Sequence, residues 1–200
     1  LIKKINLKTT KNWHINHSND QISHETGGFF SIQGVRVNIF KDKLYKWDQP
    51  IINQNEIGIL GFLMKELNNQ IYFLMQKKIE PGNSNGVQLS PTLQATKSNY
   101  NALHKGKIPN YLEYFIDFKS ENVLSDTLQS EQGSFFLKKR NRNIILKANN
   151  NVSLKNGYEW ISLRTIKRLL MIDNIINMDS RSVLSQINYL QISGDLKFKN

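Results

Sequence analysis

EIGILGFLMKELNNQIYFLMQKKI, residues 56–79, decides the fold. Two apolar runs meet at Asn68-Asn69. Asparagine tolerates the positive φ that a tight turn demands, so the stretch predicts a β-hairpin with arms over 56–67 and 70–79. IGILGFLM is the longest apolar run, too short to span a bilayer, and reads as a buried strand. Upstream, GGFFSIQGVRVNIF (27–40) alternates as a strand with a break at Gly34, and WDQPII (47–52) reads as a loop at its proline. Downstream, YLEYFIDF (111–118), SFFLKKRN (134–141) and NIILKA (143–148) are strand-like. NVLSDTLQSEQG (122–133) reads as a short helix or turn ending at Gly133. YEWISL (158–163) is a short strand that hands over to a helix, ISLRTIKRLLMI, with Ser162 as N-cap and Ile166, Leu169 and Leu170 inward. A second helix, MDSRSVLSQI, is expected to start with Asp179 as cap and to turn Val183, Leu184 and Ile187 inward. The expected class is α+β: a mixed, mostly antiparallel sheet with packed helices. Residues 1–26 form an N-terminal extension in which Trp13 first ties to the core, 27–190 a single domain without internal repeat, and 191–200 an exposed tail.

Composition narrows the function classes. Hydrophobic residues make up 39% and aromatics 10%, enough for a real core. The net charge of +11 invites a nucleic-acid reading. The excess is scattered lysine, however, and Lys, Asn and Ile together look like A/T-biased codons, so neither a nucleic-acid nor a membrane partner is expected. The absence of cysteine excludes disulfides, thiolate catalysis and thiolate zinc sites, and suits the cytoplasm. LIKKINLKTTKNW has no signal-peptide apolar region and no initiator Met, so a trimmed chain is expected. No P-loop, G-x-G-x-x-G or G-x-S-x-G is present.

Three groups of residues carry candidate chemistry. EPGNSNGVQLSPTLQATKSNY (80–100) reads as a polar loop crowded with neutral donors and acceptors: Gln88, Ser90, Thr92, Gln94 and Thr96. His104 follows it alone. His14, His17 and His24 match no helical zinc spacing, so no metal is expected. Glu113 is the second candidate. As a strand, 111–115 puts Tyr111, Glu113 and Phe115 on one face, which is either a solvated face or a carboxylate held among aromatics with a raised pKa. The third is LKKRNRN (137–143), where alternation separates Lys139 from Lys138, Arg140 and Arg142. Guanidinium groups there either clamp a diphosphate bidentately or pair with Glu131 and Asp126 to hold the loop.

Together, HETGGFFSIQG (24–34), WDQPI (47–51), EIGILGF (56–62), FLMQKKIEPGN (73–83), VQLSPTLQATKSNY (87–100), YLEYF (111–115), LQSEQGSFFLKKRNRN (128–143) and NMDSRSVLS (177–185) resemble the NDP-hexose 2,3-dehydratase family, from about Trp13 to about Leu190. That resemblance implies a Nudix-like fold in tandem repeats, of which this chain matches one, and a homodimer if the chain acts alone. The Nudix likeness also invites a pyrophosphatase reading, but the metal-binding glutamate pattern of such enzymes is absent. The implied reaction is cofactor-free dehydration of dTDP-4-keto-6-deoxyglucose, with a 3-ketoreductase consuming the 3,4-diketo product. The alternative is a repeat that binds dTDP or its sugar without turnover, or a dimerisation module.

On this resemblance, His104, Tyr100, Tyr111 and Glu113 are the acid–base candidates. Gln88, Ser90, Thr92, Gln94 and Thr96 are expected to bind nucleotide and sugar. Lys97, Lys139, Arg140 and Arg142 are expected at the diphosphate, and Phe136 or Tyr114 on thymine.

Overall fold

The computed structural model describes residues 2–100, 108–149 and 151–187, without the side chains of residues 99 and 100. The first strands, β1 (Trp13–Asn16), β2 (Gln21–His24), β3 (Ser31–Phe40) and β4 (Leu44–Asn53), form an antiparallel sheet in that order. Trp13 packs against His24, Phe29 and Phe30 within this layer. The expected loop at WDQPII is therefore a strand. Pro50 is tolerated because β4 lies at the edge, where a missing N–H breaks no ladder, and it stands opposite Gly34 without interrupting β3.

The predicted hairpin forms as β5 (Gly58–Leu67) and β6 (Gln70–Ile79), turning at Asn68 and Asn69 with φ of 51° and 56°. Its alternation serves two cores. Ile59, Leu63 and Leu74 face one side, and Leu60, Phe62, Met64, Phe73 and Met75 the other. Both faces are covered, which is why the runs read as nearly continuous hydrophobic stretches.

β5 and β6 pair with each other only from Met64–Phe73 to the turn, and then diverge. The opening is filled by the segment expected as a polar loop. β7 (Val87–Ser90) pairs with β6, and β8 (Leu93–Ala95) pairs with β5. Ser90, Pro91 and Thr92 make the corner between them, all buried. Thr92 closes the fork: its hydroxyl accepts from the Leu63 N–H at 2.9 Å and donates to the Leu74 carbonyl. One side chain thus satisfies two backbone groups that the divergence of the strands would orphan. α1 (Lys97–Tyr100) follows β8.

Residues 111–118 are not a strand. Leu112–Ile116 form the short helix α2, laying Leu112 and Phe115, three apart, on the sheet. Gly61 makes room, since a Cβ there would lie 2.2 Å from the Phe115 ring. Nor is 122–133 a helix: Val123–Ser130 is strand β9, antiparallel to β10 (Arg140–Lys147), which runs parallel to β5. Between them, Phe136 and Leu137 bridge to Ile52 of β4 and Lys138 adopts positive φ, so 134–139 is no regular strand. β11 (Tyr158–Ser162) completes the order β11-β6-β5-β10-β9. α3 (Leu163–Leu169) starts at the predicted cap, Ser162, which accepts from the Thr165 N–H at 3.1 Å. α4 (Met178–Leu184) is capped by Asn177, not Asp179, and Asn177 accepts from the Ser180 N–H at 2.8 Å. α2 covers one face of the larger sheet, α3 and α4 the other. The α+β class with mostly antiparallel pairing is the one the pattern predicts.

Candidate active site

A cavity of about 460 Å³ opens where the strand ends meet the start of α4. β7 contributes Gln88, and β8 and its exit Gln94 and Thr96. The end of β6 adds Lys78 and Glu80. Lys139 and Asn141 come from the start of β10, Glu131 from the end of β9, and Asn177 and Asp179 from α4. Phe136 supplies an aromatic wall.

Two hydrogen-bonded chains order the lining. Lys78 pairs with Glu80 at 3.3 Å, Gln94 donates to Glu80 at 3.1 Å, and Asn177 donates to Gln94 at 3.1 Å. Opposite, Asn141 donates to Glu131 at 2.6 Å. Gly58 lets Asn141 sit there, because a Cβ would come within 2.7 Å of its Oδ1. Lys139 is buried and donates to the Glu56 carbonyl, so its remaining N–H groups are the ones available to the cavity.

The electrostatics are uneven. Burial, with Glu131 and Glu80 nearby, pushes the Asp179 carboxyl up to about 6, against the opposing effect of Lys78. Burial holds the Lys139 ammonium below its usual range, although Glu56 and Glu131 work against this. Three carboxylates and two lysines share one cavity; Asp179 among them can exchange a proton near neutrality, and an ammonium N–H can stabilise an oxyanion. Among the described residues, no three His, Asp or Glu side chains converge as a metal site needs.

Gln88, Gln94, Thr96, Lys139 and Phe136 therefore come together at this cavity. The other expected residues do not. Thr92 is consumed by the fork, and Ser90 is fully buried with its hydroxyl directed at backbone oxygens of Gln76 and Pro91. Strand alternation turns Arg140 and Arg142 to the α2 face, opposite Lys139 and Asn141. There Arg142 grips Asp126, with Nε to Oδ1 at 2.8 Å, and lies over the Phe118 ring. The loop-holding pair is formed for Arg142, whereas Glu131 bonds Asn141. Lys97 is exposed outside the cavity.

Tyr111 is buried under α2, where its hydroxyl donates to the Ser153 carbonyl at 3.0 Å and accepts from the Lys155 N–H at 2.8 Å. Burial raises its pKa, away from a role as base. Glu113 is exposed and sits 3.6 Å from Lys155, and Tyr114 packs on Tyr111. The aromatic-flanked strand face expected around Glu113 does not exist, because the segment is helical. His104 and the Tyr100 side chain lie outside the described residues.

Sequence reasoning passed over Lys78, Asn141, Asn177 and Asp179. The signal was available: all four lie in the blocks that carry the family resemblance. The sequence pattern makes Asp179 a helix cap, a role that Asn177 fills.

A cavity with one carboxyl raised towards neutrality and a buried lysine is the kind of site that acid–base lyases use. The sequence profile of the NDP-hexose 2,3-dehydratase family matches residues 1–187, and the chain belongs to that family. The dTDP-4-dehydro-6-deoxy-α-D-glucopyranose 2,3-dehydratase of Saccharopolyspora spinosa is 45% identical over 177 residues, 88% of this chain and 36% of that protein. The dehydratases of the same name from Amycolatopsis orientalis and Streptomyces violaceoruber are 43% and 40% identical over 96% and 92% of this chain. The chain spans only 36–42% of the length of these relatives. Among solved structures, an ADP compounds hydrolase aligns over 78% of this chain and 83% of its own, with a TM-score of 0.44 and 8% identity.

Proposed function

We propose that this chain takes part in 2,3-dehydration of a dTDP-4-keto-6-deoxyhexose, and that the sugar reacts in the cavity at the start of α4. The observation that carries this reading is the mixed lining: neutral amides, two lysines and three carboxylates border one space. Family membership supports the substrate class, since the relatives bear the name of this reaction. Gln88, Gln94 and Thr96 present donors and acceptors suited to sugar hydroxyls, which carry no charge. Phe136 offers a face for a pyrimidine. Lys78 and Lys139 supply the positive charge near the substrate.

The chemistry has three stages. The 4-ketone acidifies the C-3 proton. Its removal places charge on the 4-keto oxygen, where an ammonium N–H such as that of Lys139 stabilises it. The C-2 hydroxyl then leaves as water, and the enol tautomerises to a 3,4-diketone. Every step is a proton transfer or an elimination within the substrate, so the proposal requires no cofactor. The reactive diketone suits prompt reduction by a 3-ketoreductase. A homodimer and a cytoplasmic location belong to the same proposal.

Turnover of dTDP-4-keto-6-deoxyglucose by the purified chain, trapped with a 3-ketoreductase, tests it. Deoxysugar product is the expected result. Tight dTDP binding without product would instead mark a non-catalytic binding repeat.

A further inference from the structure

Three carboxylates line the cavity, and their partners distinguish them. Glu80 is engaged by Lys78 at 3.3 Å and by Gln94 at 3.1 Å. Glu131 accepts from Asn141 at 2.6 Å. Both are held by side-chain contacts that organise the lining. Asp179 differs: among the described residues, no side chain donates to its carboxylate. It is also relieved of capping duty, because Asn177 binds the Ser180 N–H. Asp179 therefore reaches the cavity from the second position of a helix whose cap is already filled.

Resting on the dehydratase reading above, we propose that Asp179 is the catalytic acid–base: it removes the C-3 proton of the bound 4-keto sugar and returns it to the departing C-2 hydroxyl. The balance closes on one residue. The C-3–H bond breaks and an O–H bond forms on Asp179, while the electron pair moves to C-3–C-4 and the 4-keto oxygen takes the charge. The C-2–O bond then breaks as C-2–C-3 becomes double. The Asp179 proton leaves with the hydroxyl as water, and the carboxylate is regenerated. One carboxylate acting at both positions requires a syn elimination.

The surroundings suit a group that must gain and lose a proton in one cycle. Lys78 at the end of β6, Glu80 beyond it, Glu131 after β9 and Lys139 before β10 are the charged groups around it. Burial and the two glutamates raise its pKa to about 6, so it is mostly ionised at neutral pH yet basic enough to accept a carbon-bound proton.

The test follows deuterium exchange at C-3 and trapped turnover in D₂O, with dTDP binding measured in parallel. Asp179→Asn is expected to bind dTDP as the unaltered chain does, while exchange and turnover both fall by about 100-fold or more. The base must be ionised, so turnover rises with pH through an acid limb near 6. Glu131→Gln removes a neighbouring negative charge and is expected to move that limb to lower pH. Wild-type exchange in Asp179→Asn overturns the proposal. If Asp179→Asn loses dTDP binding, the Glu131→Gln profile decides, and an unmoved limb overturns it. An unaltered chain that binds dTDP but neither exchanges nor turns over overturns the dehydratase reading as well.

Discussion

Thr92→Val separates structure from ligand binding in the segment that looked most like a recognition loop. Valine keeps the volume and the branched shape of threonine but lacks the hydroxyl. At this fully buried position the hydroxyl accepts from the Leu63 N–H and donates to the Leu74 carbonyl. β5 and β6 have already diverged there, so neither backbone group has a ladder partner to fall back on across the fork. Leaving a buried polar group unsatisfied costs about 1–3 kcal/mol. Two such groups, less about 1 kcal/mol gained from burying a methyl, span a loss of about 1–5 kcal/mol, and the middle of that range, about 2–4 kcal/mol, is expected. For a chain of this size each kcal/mol moves Tm by about 2–4 °C, so a fall of roughly 5–15 °C is expected. Thermal and urea unfolding would measure it, with dTDP titration of the folded variant alongside. Unchanged Tm with weakened dTDP binding would refute the fork argument and return Thr92 to the ligand.

Gly61→Ala is expected to cost at least about 1–3 kcal/mol, because its Cβ would overlap the Phe115 ring and lift α2 from the sheet; urea unfolding reads this directly. Arg140→Ala is expected to leave dTDP affinity unchanged, since alternation turns Arg140 away from the cavity; a tenfold loss in calorimetric titration would place the diphosphate on the α2 face. Asp179→Asn also has a stability signature. The folded carboxyl is raised from 3.8 to about 6, so the wild type loses stability as pH rises from about 4 through 6. The variant is expected to be more stable than wild type at pH 8, by on the order of 1–3 kcal/mol, and the advantage should vanish below about pH 4; a pH-independent difference would contradict the shift.

Local signals decided what was legible. The hairpin at 56–79 carries its own turn residues, and α3 carries its own cap at Ser162. Residues 111–118 read as a strand because a short apolar run fits either period, and only the space left by Gly61 selects the helix that seats Phe115. β7 and β8 did leave a trace. Val87, Leu89, Leu93 and Ala95 alternate with Gln88 and Gln94, but the Gly, Asn and Pro residues around them signalled a loop.

Sequence by itself therefore determined the class, the central hairpin, the family and several wall residues of the cavity. Only the tertiary structure decided that Thr92 pins a fork, that Arg142 belongs to Asp126, and that Asp179 is a perturbed acid. The reason is physical. Turns, caps and periodicity are interactions within a few residues of chain. A desolvated carboxylate depends on Lys78, Glu80 and Glu131, which reach it from strands roughly 50 to 100 residues away in sequence.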